Sequence, residues 1–239
     1  MEYNRAAVVI PVYNHEQKVA EVVREAMRLL LPIYVVDDGS TDGTYERIKD
    51  IPGITLLRHE KNLGKGAALM TGFAAAAPTA EWAVTIDADG QHHPEDAWNL
   101  FGAVEQGTRP IVIGCRQGMD HDHVPLASRF GRGFSNFWVR MSGGPVLTDS
   151  QSGFRLYPLP EMLYLPVEAR RFQFEVEVLA RAGWIGTPVL EAPVGVTYAP
   201  KKERVSHYRG FVDFFRNAAT FSRLIVLRWF ILPFIRFEG

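Results

Sequence analysis

The chain has 239 residues, 47% of them hydrophobic and 22% charged, which suits one large globular domain and excludes wholesale disorder. A formal net charge of −1 removes any global electrostatic case for nucleic-acid binding, and the single cysteine, Cys115, excludes an internal disulfide framework or a multi-cysteine zinc site. The charge is unevenly spread: residues 201–239 carry eight Lys and Arg against three Asp and Glu, leaving the first 200 residues at about −6.

In chain order, the apolar run 6–12 is too short for a secretion signal, which predicts a cytoplasmic start, and 7–10 reads as a buried strand. A helix is predicted over 16–31, with Val19, Val22, Val23, Ala26 and Leu30 at helical spacing. Strands at 33–36, 54–57, 82–86 and 111–114 alternate with helices at 41–49, 66–77 and 94–105, the first of these capped by Thr41 or Asp42. Such alternation predicts an α/β fold: a mostly parallel sheet with helices on both faces. Beyond residue 118 the rhythm fails. A loop holds His121 and His123, helices are predicted at 126–141 and 172–182, and 187–197 reads as extended. Trp98, Trp138 and Trp184 fall in helical patterns and are expected in the core. Nothing reaches the roughly 18 uncharged apolar residues of a membrane span, since 224–235 is broken by Arg228 and Pro233.

Open α/β sheets bind ligands at the carboxyl ends of their strands. Three predicted ends carry Pro11, Tyr13, Asn14 and Glu16; Asp37 and Asp38; and Asp87, Asp89 and Gln91. Clustered carboxylates raise one another's pKa, and a hard divalent cation, Mg2+ or Mn2+, relieves this through oxygen ligands. In an extended Asp87-Ala88-Asp89 both carboxylates reach one face; the alternative is a solvated turn. Asn62 to Gly66 places Lys65 at a glycine-lined helix start whose backbone donors suit phosphate, without the full spacing of a phosphate loop. A Gly-x-Gly-x-x-Gly after the first strand is missing, which argues against a dehydrogenase. His92 and His93 are expected in a loop capping the next helix, and His121 and His123 in a loop rather than a zinc site.

Pro11-x-Tyr13-Asn14, Val36-Asp37-Asp38-Gly39-Ser40, Asn62-x-Gly64-Lys65-Gly66 and Asp87-Ala88-Asp89-x-Gln91-x-x-Pro94-Glu95, in this order, resemble the family 2 glycosyltransferases of the GT-A fold. The resemblance implies inverting transfer from a nucleotide-sugar. It implies that Pro11, Tyr13, Asn14 and Asp38 contact base and ribose. Lys65, Asp87 and Ala88 line the rest of the donor site, and Asp87, Asp89 and Gln91 hold the metal. Glu16 stands one place later than the family's glutamate because His15 intervenes.

Gly114-Cys115-Arg116, Ser128-Arg129, Asp149-Ser150-Gln151-Ser152-Gly153-Phe154-Arg155 and Phe174-Glu175-x-Glu177 further resemble the polyprenyl-phosphate (dolichyl-type) members. For these the acceptor is a lipid phosphate, held by Arg116, Arg129, Ser152 and Arg204, with Arg132 a rival for the place of Arg129. Phosphate is already nucleophilic near pH 7, whereas a hydroxyl acceptor would need a base, with Asp149 or Glu175 the candidates. Asp149 and Asp89 are the expected catalytic residues, Asp149 as base or as an orienting group.

In the tail, Phe211, Phe214, Phe215, Ala218, Ser222 and Ile225 share one helical face, with Trp229, Phe230, Phe234 and Phe237 following. Residues 206–237 read as a basic amphipathic element for a membrane surface, the alternatives being a helix packed on the body or a homodimer interface. The expected organisation is a transferase domain over 1–200, with a donor half at 6–115 and an acceptor half at 116–200, and a tail at 201–239. The expected protein is a cytoplasmic enzyme bound peripherally to the inner face of the membrane. It would pass a hexose from a GDP- or UDP-sugar to a polyprenyl phosphate with Mg2+ or Mn2+. The alternatives are a glycan or glycolipid hydroxyl acceptor and a non-catalytic nucleotide-binding module.

Overall fold

A computed structural model describes residues 5–117, 126–197 and 210–231. Among them seven strands form one sheet: β1 (Ala6–Val12), β2 (Ile33–Asp37), β3 (Ile54–Arg58), β4 (Trp82–Thr85), β5 (Ile111–Arg116), β6 (Arg155–Pro158) and β7 (Val189–Val194). Their order is β3-β2-β1-β4-β6-β5-β7, parallel except for β6, which runs antiparallel to both neighbours.

β1 is buried along its whole length, and its alternation divides the core in two. Ala6, Val8, Ile10 and Val12 pack with α1 (Val19–Ala26) and α4 (Ala97–Gly102) on one face. Ala7 and Val9 pack on the other with Leu69 and Phe73 of α3 (Lys65–Ala76) and with Phe174 and Val178 of α7 (Phe174–Trp184). Pro11 is tolerated inside this central strand for a specific reason. Val9 accepts from Ile86 N (3.1 Å) on the β4 side, and Val12 accepts from Asp38 N (2.8 Å) on the β2 side. Residue 11 therefore faces beyond the end of β4, where no ladder donor is required.

The first predicted helix is shorter than its apolar spacing suggests. α1 ends at Ala26, a 3-10 turn covers Met27–Leu29, and Leu30 turns left-handed (φ 55°) and lies exposed, with Leu29 buried in its stead. Pro32, next but one, disfavours continuation. The second helix, α2 (Thr44–Ile48), also starts late, and Asp42 accepts its Thr44 N–H at 2.9 Å. The helix predicted over 94–105 is a 3-10 turn, Pro94–Asp96, followed by α4, and Trp98 is largely exposed rather than in the core.

β6 was not foreseen. It has four residues and opens with Arg155, a residue type normally at the surface, yet Arg155 is wholly buried. Its guanidinium is satisfied by Ser150 O (2.8 Å), Ser152 O (2.7 Å) and Glu175 O (2.9 Å). α5 (Leu126–Met141) falls where predicted, and α6 (Glu161–Tyr164) is a single turn.

α8 (Gly210–Val226) docks on the body. Phe221 and Leu224 are buried, Phe221 stacks on Trp138 (centroids 6.3 Å apart), and Arg223 Nη2 donates to Glu177 Oε2 at 2.8 Å. The expected apolar face is thus shifted: Ser222 is exposed, and Phe221 and Leu224 form the buried stripe. Phe211, Phe214 and Phe215 lie outside the residues whose side chains are described.

Candidate active site

The carboxyl ends of β1 and β2 are clasped together. Asn14, left-handed at φ 53°, accepts the N–H of Thr41 (2.8 Å) and of Asp42 (3.4 Å) through Oδ1 and donates its own N–H to Ser40 Oγ (3.0 Å). His15 N donates to Thr44 Oγ1 at 2.8 Å, and Glu16 Oε2 accepts Gly43 N at 2.9 Å. Glu16 thus joins this clasp despite its one-place offset, beside buried Pro11 and half-buried Tyr13. Asp38 is 2% exposed and accepts from Leu63 N (2.9 Å) and Gly64 N (2.7 Å), with His59 Nδ1 at 2.7 Å from Oδ1. It orders the loop that enters α3, a task additional to the contact the resemblance assigns it.

That loop is not an open phosphate cradle. Ala67 N donates to Arg170 O at 3.0 Å. A Cβ on Gly64 would meet Arg171 Cγ at 2.5 Å with Arg170 O closer still, and one on Gly66 would meet Phe174 Cβ at 2.6 Å. Gly64 also has φ 107°, a region natural to glycine. These glycines admit a covering segment of protein, 169–174, rather than an anion.

What α3 contributes is Lys65. Its Nζ lies 2.6 Å from Asp87 Oδ1 and 2.6 Å from Glu175 Oε1, joining the end of β4 to the first turn of α7. Burial opposes the ammonium charge, but the two carboxylates outweigh it and raise the lysine above its ordinary pKa. Burial would likewise raise Asp87, yet the Lys65 charge and hydrogen bond prevail and hold it below the usual carboxylate range. Asp89 is the reverse: burial, reinforced by the Asp87 charge, pushes it up to about 6.

The two aspartates are brought together by a turn, not by strand alternation. Residues 88–89 are turn, Gly90 has φ 72°, and Asp89 Oδ1 accepts Gln91 N at 3.0 Å. Ala88 is buried beneath them. This donor set fits a hard divalent cation. It offers oxygen ligands only, and Asp89 is raised by its burial and by the neighbouring Asp87 charge. Among the described residues no three His, Cys, Asp or Glu side chains gather as a metal cluster. His92 is buried and stacks on Phe154 (5.1 Å, 13°), and burial lowers it to about 4, so it is neutral. Neither histidine caps the next helix by its side chain; His93 Nε2 pairs with Thr197 Oγ1 at 3.0 Å.

The segment 149–155 closes over this centre. Thr85 Oγ1 donates to Gly153 O at 2.7 Å, and a Cβ on Gly153 would meet Lys65 Nζ at 2.5 Å and Asp87 Oδ2 nearer still. Asp149 is fully buried and takes Arg116 in a two-pronged pair, Nε to Oδ2 at 2.7 Å and Nη2 to Oδ1 at 2.8 Å. Asp149 N donates in turn to Glu191 Oε1 at 2.9 Å. Ser152 is buried, its hydroxyl without a hydrogen-bond partner among the described residues. α5 runs over the same loop, with Asn136 Oδ1 accepting Ser150 N at 2.9 Å and Ser135 Oγ 2.9 Å from Ser150 Oγ. Arg129 belongs to α5 by its backbone; its side chain, and all of Arg204, lie outside the described residues. Arg155 stood in the quoted motif 149–155, yet its role as organiser of this loop, and that of Thr85, had no signal in the sequence because both depend on β6 lying between β4 and β5.

The sheet, with the acidic turn at the carboxyl end of one of its middle strands, has the GT-A fold. Glucosyl-3-phosphoglycerate synthase from Mycobacterium tuberculosis, solved with Mg2+ and uridine-diphosphate, shares this fold with a TM-score of 0.68 at 22% identity, over 94% of this chain and 79% of that one. Residues 7–157 match the family described as Glycosyl transferase family 2, and the chain belongs to that family. The UDP-N-acetylglucosamine–dolichyl-phosphate N-acetylglucosaminyltransferase of Methanococcus voltae is 30% identical to it over 80% of this chain and 85% of its own length. The undecaprenyl-phosphate mannosyltransferase of Micrococcus luteus is 28% identical over 80% of this chain and 82% of its own.

Proposed function

We propose that this family 2 glycosyltransferase transfers a sugar from a UDP- or GDP-sugar to a polyprenyl phosphate, with inversion at the anomeric carbon. The observation that carries the acceptor class is the engagement of both candidate bases. Asp149 is buried against Arg116, and Glu175 is bound to Lys65. A hydroxyl acceptor requires a carboxylate to take its proton; a phosphate, already ionised, requires cations and orientation instead. The names of the relatives from Methanococcus and Micrococcus support the same class.

In this reading the clasp of 13–16 on 40–44 receives the nucleoside. Asp87, Asp89 and Gln91 hold the divalent cation, which when bound neutralises the departing diphosphate. Lys65 adds a second positive charge at the same diphosphate. Asp149 sets the plane of the Arg116 guanidinium so that it aligns the acceptor phosphate, with Arg129, Ser152 and Arg204 completing the grip. An acceptor oxygen forms its bond to the anomeric carbon as the bond to the nucleoside diphosphate breaks on the opposite face. Approach to a lipid acceptor fits a peripheral position at the cytoplasmic face of a membrane. Among the described residues no helix is long and apolar enough to cross one, while Phe137, Val226, Trp229 and Phe230 are exposed near the docked end of α8.

The test is transfer of labelled sugar from UDP-N-acetylglucosamine, UDP-glucose or GDP-mannose to a short polyprenyl phosphate, with Mn2+ or Mg2+. Label in the lipid phase that disappears with EDTA and with Asp89→Ala is expected. Donor hydrolysis without lipid product would refute the acceptor, and activity retained by Asp89→Ala would refute the metal site.

A further inference from the structure

We infer that Lys65 is the internal cation of the metal-free site, and that Glu175 is a positioning residue that keeps this ammonium in the crevice when Asp87 is given up to a divalent cation. The inference rests on the reading of Asp87 and Asp89 as metal ligands. One ammonium spans two carboxylates at equal distance, 2.6 Å to Asp87 Oδ1 and 2.6 Å to Glu175 Oε1. The carboxylates differ in access: the Asp87 side chain is 26% exposed and that of Glu175 10%. A hydrated cation arriving from solvent therefore meets Asp87 first.

Both anchors of the lysine are fixed. Its backbone begins α3, where Asp38 holds Gly64 N (2.7 Å) and Arg170 O accepts Ala67 N (3.0 Å). Glu175 is tied through its carbonyl to buried Arg155 Nη1 at 2.9 Å, and its neighbour Phe174 lies against Gly66. Only the flexible lysine stem is left to respond. A lysine ammonium has three donors and can leave one carboxylate while keeping the other. An ammonium and a divalent cation compete for the same carboxylate lone pairs and repel each other at close range. Glu175 thus has no need to touch substrate: it holds Lys65 charged, desolvated and within reach of the donor's diphosphate.

The consequence is counterintuitive and can be measured without turnover. Mn2+ affinity of the full chain is read by electron paramagnetic resonance of free Mn2+ at pH 8, with no nucleotide present. Lys65→Met should bind Mn2+ at least tenfold more tightly than wild type while losing transfer activity. Glu175→Gln should bind it several-fold more weakly, because the lysine then leans on Asp87 alone. In the Lys65→Met background the Glu175→Gln effect should shrink to less than twofold. Equal weakening in both backgrounds would mean that Glu175 acts only as a nearby charge and would overturn the inference, as would unchanged or weaker Mn2+ binding by a folded Lys65→Met. If that variant fails to melt cooperatively, Lys65→Gln, whose amide can still bond both carboxylates, carries the same expectation. Absence of Mn2+ binding in every variant, with transfer retained, removes the metal site and this inference but not the acceptor. Binding as expected with no lipid product removes the acceptor and leaves the inference standing.

Discussion

Replacing Gly153 by Ala inserts one methyl group at the most crowded point of the site. The added Cβ would lie 2.5 Å from Lys65 Nζ, with Asp87 Oδ2 nearer still, whereas ordinary contact begins near 3.4 Å. The backbone at 153 is not in the left-handed region, so the cost falls on the ion pair rather than on φ. Restoring contact moves the ammonium and carboxylate by about 1 Å. Stretching their 2.6 Å separation by that much forfeits about 1.5–2 kcal/mol at an effective dielectric of about 20. A misplacement of about 1 Å in a catalytic constellation costs about 100-fold in rate. Gly153→Ala should therefore lower kcat/KM for the donor by about 100-fold while lowering Tm by only about 3–8 °C. Steady-state transfer kinetics and a thermal melt on the same preparation decide this. Activity within threefold of wild type, in a protein of unchanged Tm, would show that Lys65 and Asp87 need not be paired and would refute the reasoning.

Asp149→Asn leaves the shape of the loop but removes the charge that orients Arg116, so kcat/KM for the polyprenyl phosphate should fall about 10- to 100-fold with the donor KM unchanged. A loss above about 1,000-fold that also abolishes an acidic limb of the pH profile would make Asp149 a general base instead. In metal-free protein Asp89 keeps its proton to about pH 6, while the unfolded chain releases it near 3.8, so the folded state binds more protons in that window and stability falls as pH rises through it. Asp89→Asn should accordingly be more stable than wild type at pH 7.5, by about 3 kcal/mol, and no more stable at pH 4, as denaturant melts at the two pH values would reveal. Arg223→Ala withdraws one of the two arginines from fully buried Glu177 and should destabilise the fold by about 1–3 kcal/mol, with trypsin cleavage in α8 as the local readout.

The motifs at the strand ends were legible because a parallel sheet lines up successive carboxyl ends whatever lies between them. The pattern put Asp38, Asp87 and Asp89 at predicted strand ends, where the structure has them, and it gave the α/β alternation over 6–115. The same holds for α5, whose bounds of 126–141 follow from periodicity. Three features were not legible. Gly64 and Gly66 carry the composition of a phosphate cradle, yet they serve close packing of 169–174, a contact between segments a hundred residues apart. Arg155 stands in the motif 149–155, but its burial among carbonyls arises only when β6 slots antiparallel between β4 and β5. The face that α8 buries, Phe221 and Leu224, is chosen by what the body offers, namely Trp138 and the Glu177 carboxylate.

Local sequence thus determined the elements and the chemistry each strand end carries, since periodicity and turn residues act over a few positions. Which cation each carboxylate meets was settled only by the tertiary structure. Lys65 reaches Glu175 across 110 residues, and Arg116 reaches Asp149 across 33. Charge pairing in a buried crevice depends on distances of a few ångströms, and only chain packing sets those.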